Sequence, residues 1–288
     1  MGQRQPELFT YYNLRRRTSS PDIDLLFPGW QSGNERVVVL SPHDDDGVLG
    51  AGYLMLAALA NGARVYLVVF CDGWAGYSTP AEKASILARR RRETVEAYRL
   101  LGLDEEHILR FDYPDFSAWS WLGWSLPGGQ TGLMARFIPA MRRIAPTRLL
   151  LPNGHREHQD HEAVYRVGAY DGPQVGDAIV ADLGQAAPIQ SFLQYSVWAD
   201  FDPQDALVAG SAPNLRANCA VRAPRDVEDV IASSIHQFES QSAIIEGIIR
   251  HRIASRCRGD YGLELFLSFD PRPVLDYTPY HELIRALR

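Results

Sequence analysis

A three-layer α/β/α fold with a mostly parallel sheet is what this sequence predicts. Three observations carry the prediction: short β-branched runs alternate with helical stretches, the links between them are short, and no internal repeat or low-complexity tract interrupts the order. Strand, helix and strand in repetition call for parallel strands joined by right-handed crossovers, a Rossmann-like arrangement whose ligands bind at the carboxyl ends of the strands. "RVVVL" at 36–40, "RVYLVVF" at 64–70, "HILRF" at 107–111 and "RLLLP" at 148–152 read as buried strands. "GVLGAGYLMLAALANGA" follows the first as a helix stopped by Asn-Gly. "PAEKASILARRRRETVEAYRLLGL" follows the second, with proline near its start and glycine near its end, and "GLMARFIPAMRRIAP" precedes the fourth. Later, "PIQSFLQYSVW" reads as a strand, 200–215 as a Pro-Asn-Asp-rich loop and 225–253 as one long helix. All 288 residues are expected to form one domain, with 1–35 an N-terminal extension and 116–132 a tryptophan-rich insertion.

Composition narrows the partners. The net charge of -6 is modest and is not gathered into a tail, which argues against a nucleic-acid footprint or a basic membrane surface and for a small-molecule substrate. No window approaches about 18 uncharged apolar residues, so no membrane insertion is expected. Cys71, Cys219 and Cys257 are odd in number and far apart, as reduced thiols are, and "MGQRQPELFTYYNLRRRTSS" lacks the order of a secretion signal. A cytoplasmic protein is expected. A single unaligned chain leaves the oligomeric state open, a homo-oligomer included.

The stretch "VVVLSPHDDDGVLG", residues 37–50, runs from a strand into a histidine and three aspartates. Three adjacent carboxylates at a buried strand end repel one another and resist desolvation, so a positive partner is required there. A metal is the simplest one, and His43 and Asp46 are ligand types that zinc takes. The plainer alternative is that the aspartates cap the following helix, but one carboxylate suffices for that. After the fourth strand, "LPNGHREHQDHEAVYRVG" places His155, His158 and His161 within seven residues, again at a carboxyl end, where they can face His43 and Asp46 across the sheet crevice. Three protein ligands drawn from the two loops would make the open site of a catalytic zinc.

At these residues the sequence resembles the PIG-L or LmbE-like metal-dependent N-deacetylases, which act on N-acetylglucosaminyl conjugates and related amides. "HDDDGVLG" is similar to the family's His-Pro-Asp-Asp-Glu-Val-Leu-Gly stretch, with Asp44 in the proline's place and Gly47 in the glutamate's. "HQDH" is similar to its His-Pro-Asp-His, with Gln159 for the proline. The resemblance implies that His43, Asp46 and His161 bind the metal, that Asp45 is the general base, that His158 stabilises the oxyanion or protonates the leaving amine, and that Asp160 orients His158. His155 is extra relative to the family loop. The likeness extends over most of the chain: "CDGWAGYS" looks like the second-strand turn, "RRRETVEAYRLLG" like the Arg-x-x-Glu helix with Arg90 as the substrate-contacting arginine, and "YPD" with Asp115 like the third-strand loop. "FESQ" resembles a His-x-Ser-Gln segment with Phe238 replacing the histidine, and "YGLELF" resembles a Tyr-Ala-Glu-x-Phe ending.

The chemistry expected is zinc-dependent removal of an N-acetyl or related acyl group from an N-acetylglucosaminyl-type conjugate. A zinc-bound water has its pKa lowered to about 7, so Asp45 can take its proton, and the tetrahedral oxyanion that follows needs stabilisation and an acid for the departing amine. Ferrous iron accepts the same donors. Two rivals compete with this reading. "GVLGAG" after a strand suggests a phosphate loop of a magnesium-dependent nucleotide enzyme, although its spacing is wrong. A non-catalytic carbohydrate-binding protein on the same fold would explain the altered proline and glutamate positions. Trp119, Trp121 and Trp124 follow no helical stripe, and the insertion leaves a strand's carboxyl end. Trp121 and Trp124 are therefore expected to stack on the substrate as part of a wall over the metal, core packing being the plainer reading.

Overall fold

A computed structural model describes residues 5–254 and 261–287. Its centre is the expected parallel unit: β3 (Arg36–Ser41), α1 (Asp46–Ala60), β4 (Arg64–Cys71), α2 (Ile86–Leu101), β5 (Ile108–Tyr113), α3 (Leu133–Ile144), β6 (Arg148–Pro152), α4 (Gln159–Arg166) and β7 (Ser191–Tyr195). Alternate residues of each strand go to opposite layers. Val37, Val39, Val65, Leu67 and Val69 enter the core beneath α1 and α2, whereas Val38, Leu40, Val68 and Phe70 enter the one beneath α3 and α4. This two-sided burial is why the strands read as unbroken apolar runs.

The sheet is mixed, which corrects the expectation of a mostly parallel one. It holds nine strands among the described residues, in the order β2-β1-β8-β9-β7-β6-β3-β4-β5. β1 (Thr10–Asn13), β2 (Thr18–Ser20), β8 (Cys219–Ala223) and β9 (Gly262–Phe269) extend it beyond β7 through antiparallel pairs only. The N-terminal extension thus supplies two strands of the sheet. The long helix expected over 225–253 is two helices, α6 (Arg225–Ile235) and α7 (Ser242–Ala254), separated by a 3-10 turn at Glu239–Gln241. Phe238 between them is fully buried, and Ser240 donates from both N–H and hydroxyl to Glu93. α5 (Pro203–Val208) lies inside the region expected as loop, and α8 (Thr278–Ala286) follows β9. Cys71 and Cys219 are free and buried; Cys257 lies outside the described residues.

β9 inverts the usual pattern, since Glu264 points inward while Leu263 and Leu265 face out. Glu264 accepts the N–H of Tyr53 at 2.9 Å and lies 3.4 Å from Arg252, which also pairs with buried Glu228. Burial pushes the Glu264 carboxyl up from 4.5 to about 7, against the pull of Arg252. Because the folded value exceeds the unfolded one, the stability this group contributes is complete below pH 4.5 and is lost as pH rises through about 7. Glu264→Gln is therefore expected to flatten the fall in denaturation midpoint between about pH 5 and about pH 8 relative to the unaltered chain. Parallel pH profiles for the two proteins would show that the carboxyl carries no such coupling.

Candidate metal and catalytic site

β3 and β6 are neighbours in the sheet, and the crossovers leave them toward opposite sides, so the crevice of the fold opens at their carboxyl ends. The histidine–aspartate loop follows β3 and the three-histidine loop follows β6, which brings the two sequence motifs together. His43 Nδ1 and His161 Nε2 each lie 3.1 Å from the same Asp46 oxygen. These three residues form a group with metal-ligand spacing. Burial opposes charge on both rings, yet hydrogen bonds to Asp160 and Asp46 hold His43 well above its usual value, and Asp46 and Glu157 raise His161 to about 9. Asp46 is held well below the carboxylate range despite its burial, because His161 and His43 face it.

The aspartates do not cap α1. Its free amides are taken by other groups: Gly47 N–H donates to the Ser41 hydroxyl at 3.0 Å and Val48 N–H to the Tyr98 hydroxyl at 3.1 Å. All three carboxylates are thereby left to the site. Asp44 is fully buried, where Arg90 Nε (3.2 Å), the Thr94 hydroxyl (2.5 Å) and Arg110 Nη1 converge on it. Despite burial, the two guanidinium groups keep its carboxyl below the usual range. Asp45 differs: burial raises its carboxyl, Arg90 at 3.3 Å opposes the rise and Asp46 adds to it. It stands beside the His–Asp–His group and hydrogen-bonds to neither histidine.

The altered family positions are explained locally. A Cβ at Gly47 would stand 2.7 Å from the Tyr98 hydroxyl and 2.9 Å from Leu67, so a glutamate there would have to displace both side chains. A Cβ at Gly50 would stand 2.3 Å from the Tyr195 ring and 2.9 Å from the Ser196 carbonyl, and one at Gly52 would stand 2.7 Å from Ile231. Close packing thus accounts for the glycines of "GVLGAG". Gln159, in the second proline's place, donates to the Phe116 carbonyl at 2.6 Å.

The other expected site residues fall as follows. His158 heads α4, its Nδ1 accepting the Asp160 N–H at 3.2 Å, which leaves the proton of the neutral ring on Nε2. Burial, and then His43, lower its value. Asp160 is 3.4 Å from His158 but is more tightly engaged elsewhere, taking His43 Nε2 at 3.3 Å and the N–H groups of Phe116 (2.7 Å) and Ala118 (3.0 Å). His155 stands apart, with Nδ1 3.4 Å from Asp202. Arg90 is buried, its guanidinium 5.5 Å from the Phe238 ring centre and its Nη1 without a hydrogen bond among the described residues. Asp115 is buried and accepts the N–H groups of Gly73 and Ala75, both at 2.9 Å. Within the insertion, Trp121 packs on Tyr113 with ring centres 5.1 Å apart, while Trp119 and Trp124 are exposed. The ring it brings to the histidines is that of Phe116, 4.7 Å from His158, at a residue with a left-handed φ of 63°.

Arg110 escaped the sequence reading. Its signal was a charge inside the strand run "HILRF", where a buried strand admits one only with a partner.

Comparison with curated proteins gives no match. Among solved structures, N,N'-diacetylchitobiose deacetylase from Pyrococcus horikoshii is similar at 17% identity and a TM-score of 0.64, over 90% of this chain and 94% of that one. The conserved protein TT1542 from Thermus thermophilus is similar at 22% identity and 0.59, over 83% and 96%. GalB, the 4-carboxy-2-hydroxymuconate hydratase from Pseudomonas putida, is similar at 17% and 0.59, over 84% and 99%. At these identities the likeness shows the fold alone. Residues 38–170, the span from β3 past the three-histidine loop, match the family profile PIG-L, described as GlcNAc-PI de-N-acetylase. Both halves of the His–Asp–His group lie inside that span, so this part of the chain is similar to the PIG-L family, and the match supports an enzyme acting as a deacetylase on an amide bond.

Proposed function

We propose that the protein is a zinc-dependent hydrolase that removes an N-acetyl or related acyl group from an N-acetylglucosaminyl-type conjugate in the cytoplasm, with ferrous iron as the alternative metal. The observation that carries this reading is the convergence of His43, Asp46 and His161, with Asp45 adjacent and unengaged by either histidine. These residues fit the metal. His161 Nε2 is buried and aimed at the same Asp46 oxygen as His43 Nδ1, the donor set of two imidazoles and one carboxylate is one zinc takes, and His43 keeps 19% of its side chain exposed on the open side. Bound there, a divalent cation supplies Lewis acidity, polarising the amide carbonyl and acidifying a water. Asp45, with its raised carboxyl, accepts the proton of the attacking water, and Arg90 holds that carboxylate in place. His158 presents Nε2–H to the oxyanion, and the proton taken up by Asp45 passes to the departing amine. Asp115 acts through the 73–75 turn that it ties down. Trp124, with Phe116, forms the wall met by the rest of the substrate, while Trp121 supports the insertion from below.

The test is metal analysis together with acetate release from N,N'-diacetylchitobiose. Because the same fold also serves a hydratase, the released acetate decides the class rather than the fold. His158→Ala is expected to keep its metal and slow acetate release about 10²–10⁴-fold, whereas His161→Ala loses the metal. Metal loss from His155→Ala instead would move the ligand to that residue. Trp124→Ala is expected to raise KM for the conjugate while hydrolysis of a small acetamide stays unchanged; equal effects on both would remove Trp124 from the wall.

A further inference from the structure

Glu157 immediately precedes the His-x-Asp-His motif, and the family resemblance gives it no role. Its side chain is fully buried, which for a carboxylate demands compensation on both oxygens. One oxygen lies 2.6 Å from His161 Nδ1. The other accepts the Ser196 hydroxyl at 3.1 Å and the N–H groups of Val197 (2.9 Å), Trp198 (3.2 Å) and Ala199 (3.2 Å). A single carboxylate therefore spans two elements that leave adjacent strands, β6 and β7. The loop it gathers sets the Trp198 ring 5.2 Å from the His161 ring, while Trp198 as a residue remains more than half exposed.

We propose that Glu157 is a positioning residue that joins the metal-binding ring of His161 to the 196–199 loop. Accepting Nδ1–H fixes the tautomer that leaves the Nε2 lone pair directed at Asp46 and the metal, as carboxylate partners of metal-bound histidines do generally. Gathering the loop amides places Trp198 as a second aromatic wall, against the His161 ring. The ring, the metal and the wall are thereby held in one register, so that the metal site and the substrate wall cannot shift independently. The inference rests on the metal reading above through His161 alone.

Glu157 lies just ahead of α4, four positions before His161, and its side chain reaches the ring across the extended start of the helix. Glu157→Gln separates the two duties. A glutamine can keep its carbonyl on the four loop donors, but its NH2 then faces Nδ1, which must accept, and the ring proton moves to Nε2.

The experiment uses the full chain with 15N-labelled histidine, together with calorimetric zinc titration and amide hydrogen exchange. Spectra taken without metal at about pH 10, above the value of about 9 that His161 has in the chain, are expected to show Nδ1–H in the unaltered protein and Nε2–H in Glu157→Gln. Zinc affinity is expected to fall about 10–100-fold in Glu157→Gln while amides 197–199 stay protected. Glu157→Ala should both weaken zinc binding and expose those amides to exchange. The same tautomer in the unaltered protein and Glu157→Gln, or a zinc affinity unchanged within about twofold, overturns the proposal and leaves Glu157 a loop anchor only. An unaltered protein that takes up no zinc overturns the metal reading instead, and the tautomer comparison still decides Glu157.

Discussion

Asp45→Asn is expected to retain its metal and lose about 10²–10⁴ in rate, whereas Asp46→Ala loses the metal itself. The two carboxylates are neighbours in sequence and opposites in surroundings. Asp46 is 2% exposed, sits between two imidazoles and also accepts the His43 N–H at 2.8 Å, so removing it takes away the proposed ligand and the acceptor that shapes the turn. Asp45 is 16% exposed, and among the described residues the hydrogen bond its carboxylate receives is from Arg90. An asparagine oxygen can still accept from that guanidinium, which keeps the geometry while abolishing proton acceptance. Metal analysis of both variants beside steady-state rates separates the roles, and equal metal loss from both would remove Asp45 from its assignment as base.

Asp44→Ala is expected to cost about 3–5 kcal/mol of stability, the range for breaking a buried ion pair by removing one partner. The carboxylate is 0% exposed and Arg90 3%, so deletion leaves one guanidinium buried beside Asp45 alone and weakens the hold on Arg110. Asp44→Pro, which restores the residue usual at this position in the family, is expected to be equally costly, because this chain has built two arginines and Thr94 around the acid. Denaturant midpoints measure both variants. A loss below about 1 kcal/mol would mean that the arginines find other partners or that water enters. Activity should fall with stability, since Arg90 is also the residue that holds Asp45.

The parallel half of the molecule was legible because its strands are buried on both faces and so announce themselves as apolar runs, and because both metal motifs end such runs. The antiparallel half was not. β1 is four residues and β2 three, too short for a period to show, and β9 reads backwards because the Glu264–Arg252 pair takes the inner face and pushes two leucines outward. The break between α6 and α7 carried no proline or glycine; tertiary contacts of Phe238 and Ser240 with Arg90 and Glu93 made it. Spacing alone could bring His43, Asp46 and His161 together. It could not tell that Asp44 faces inward to Arg110, whose position is fixed by strand pairing rather than by any local motif.

Asp160 is bonded at once to a ring of the metal group and to the two amides that begin the insertion, and this changes how kinetic data on it must be read. A variant such as Asp160→Asn would loosen His43 and the Phe116 backbone together, so turnover and substrate affinity should change jointly and in proportion. A simple acid–base partner would alter turnover alone. Exchange of the 116–132 segment with that of a related protein would likewise transplant the proposed wall without its fastening unless Gln159 and Asp160 travelled with it. Under the proposed function the unit of specificity is therefore larger than the loop itself: it includes the first turn of α4, against which the loop is fastened.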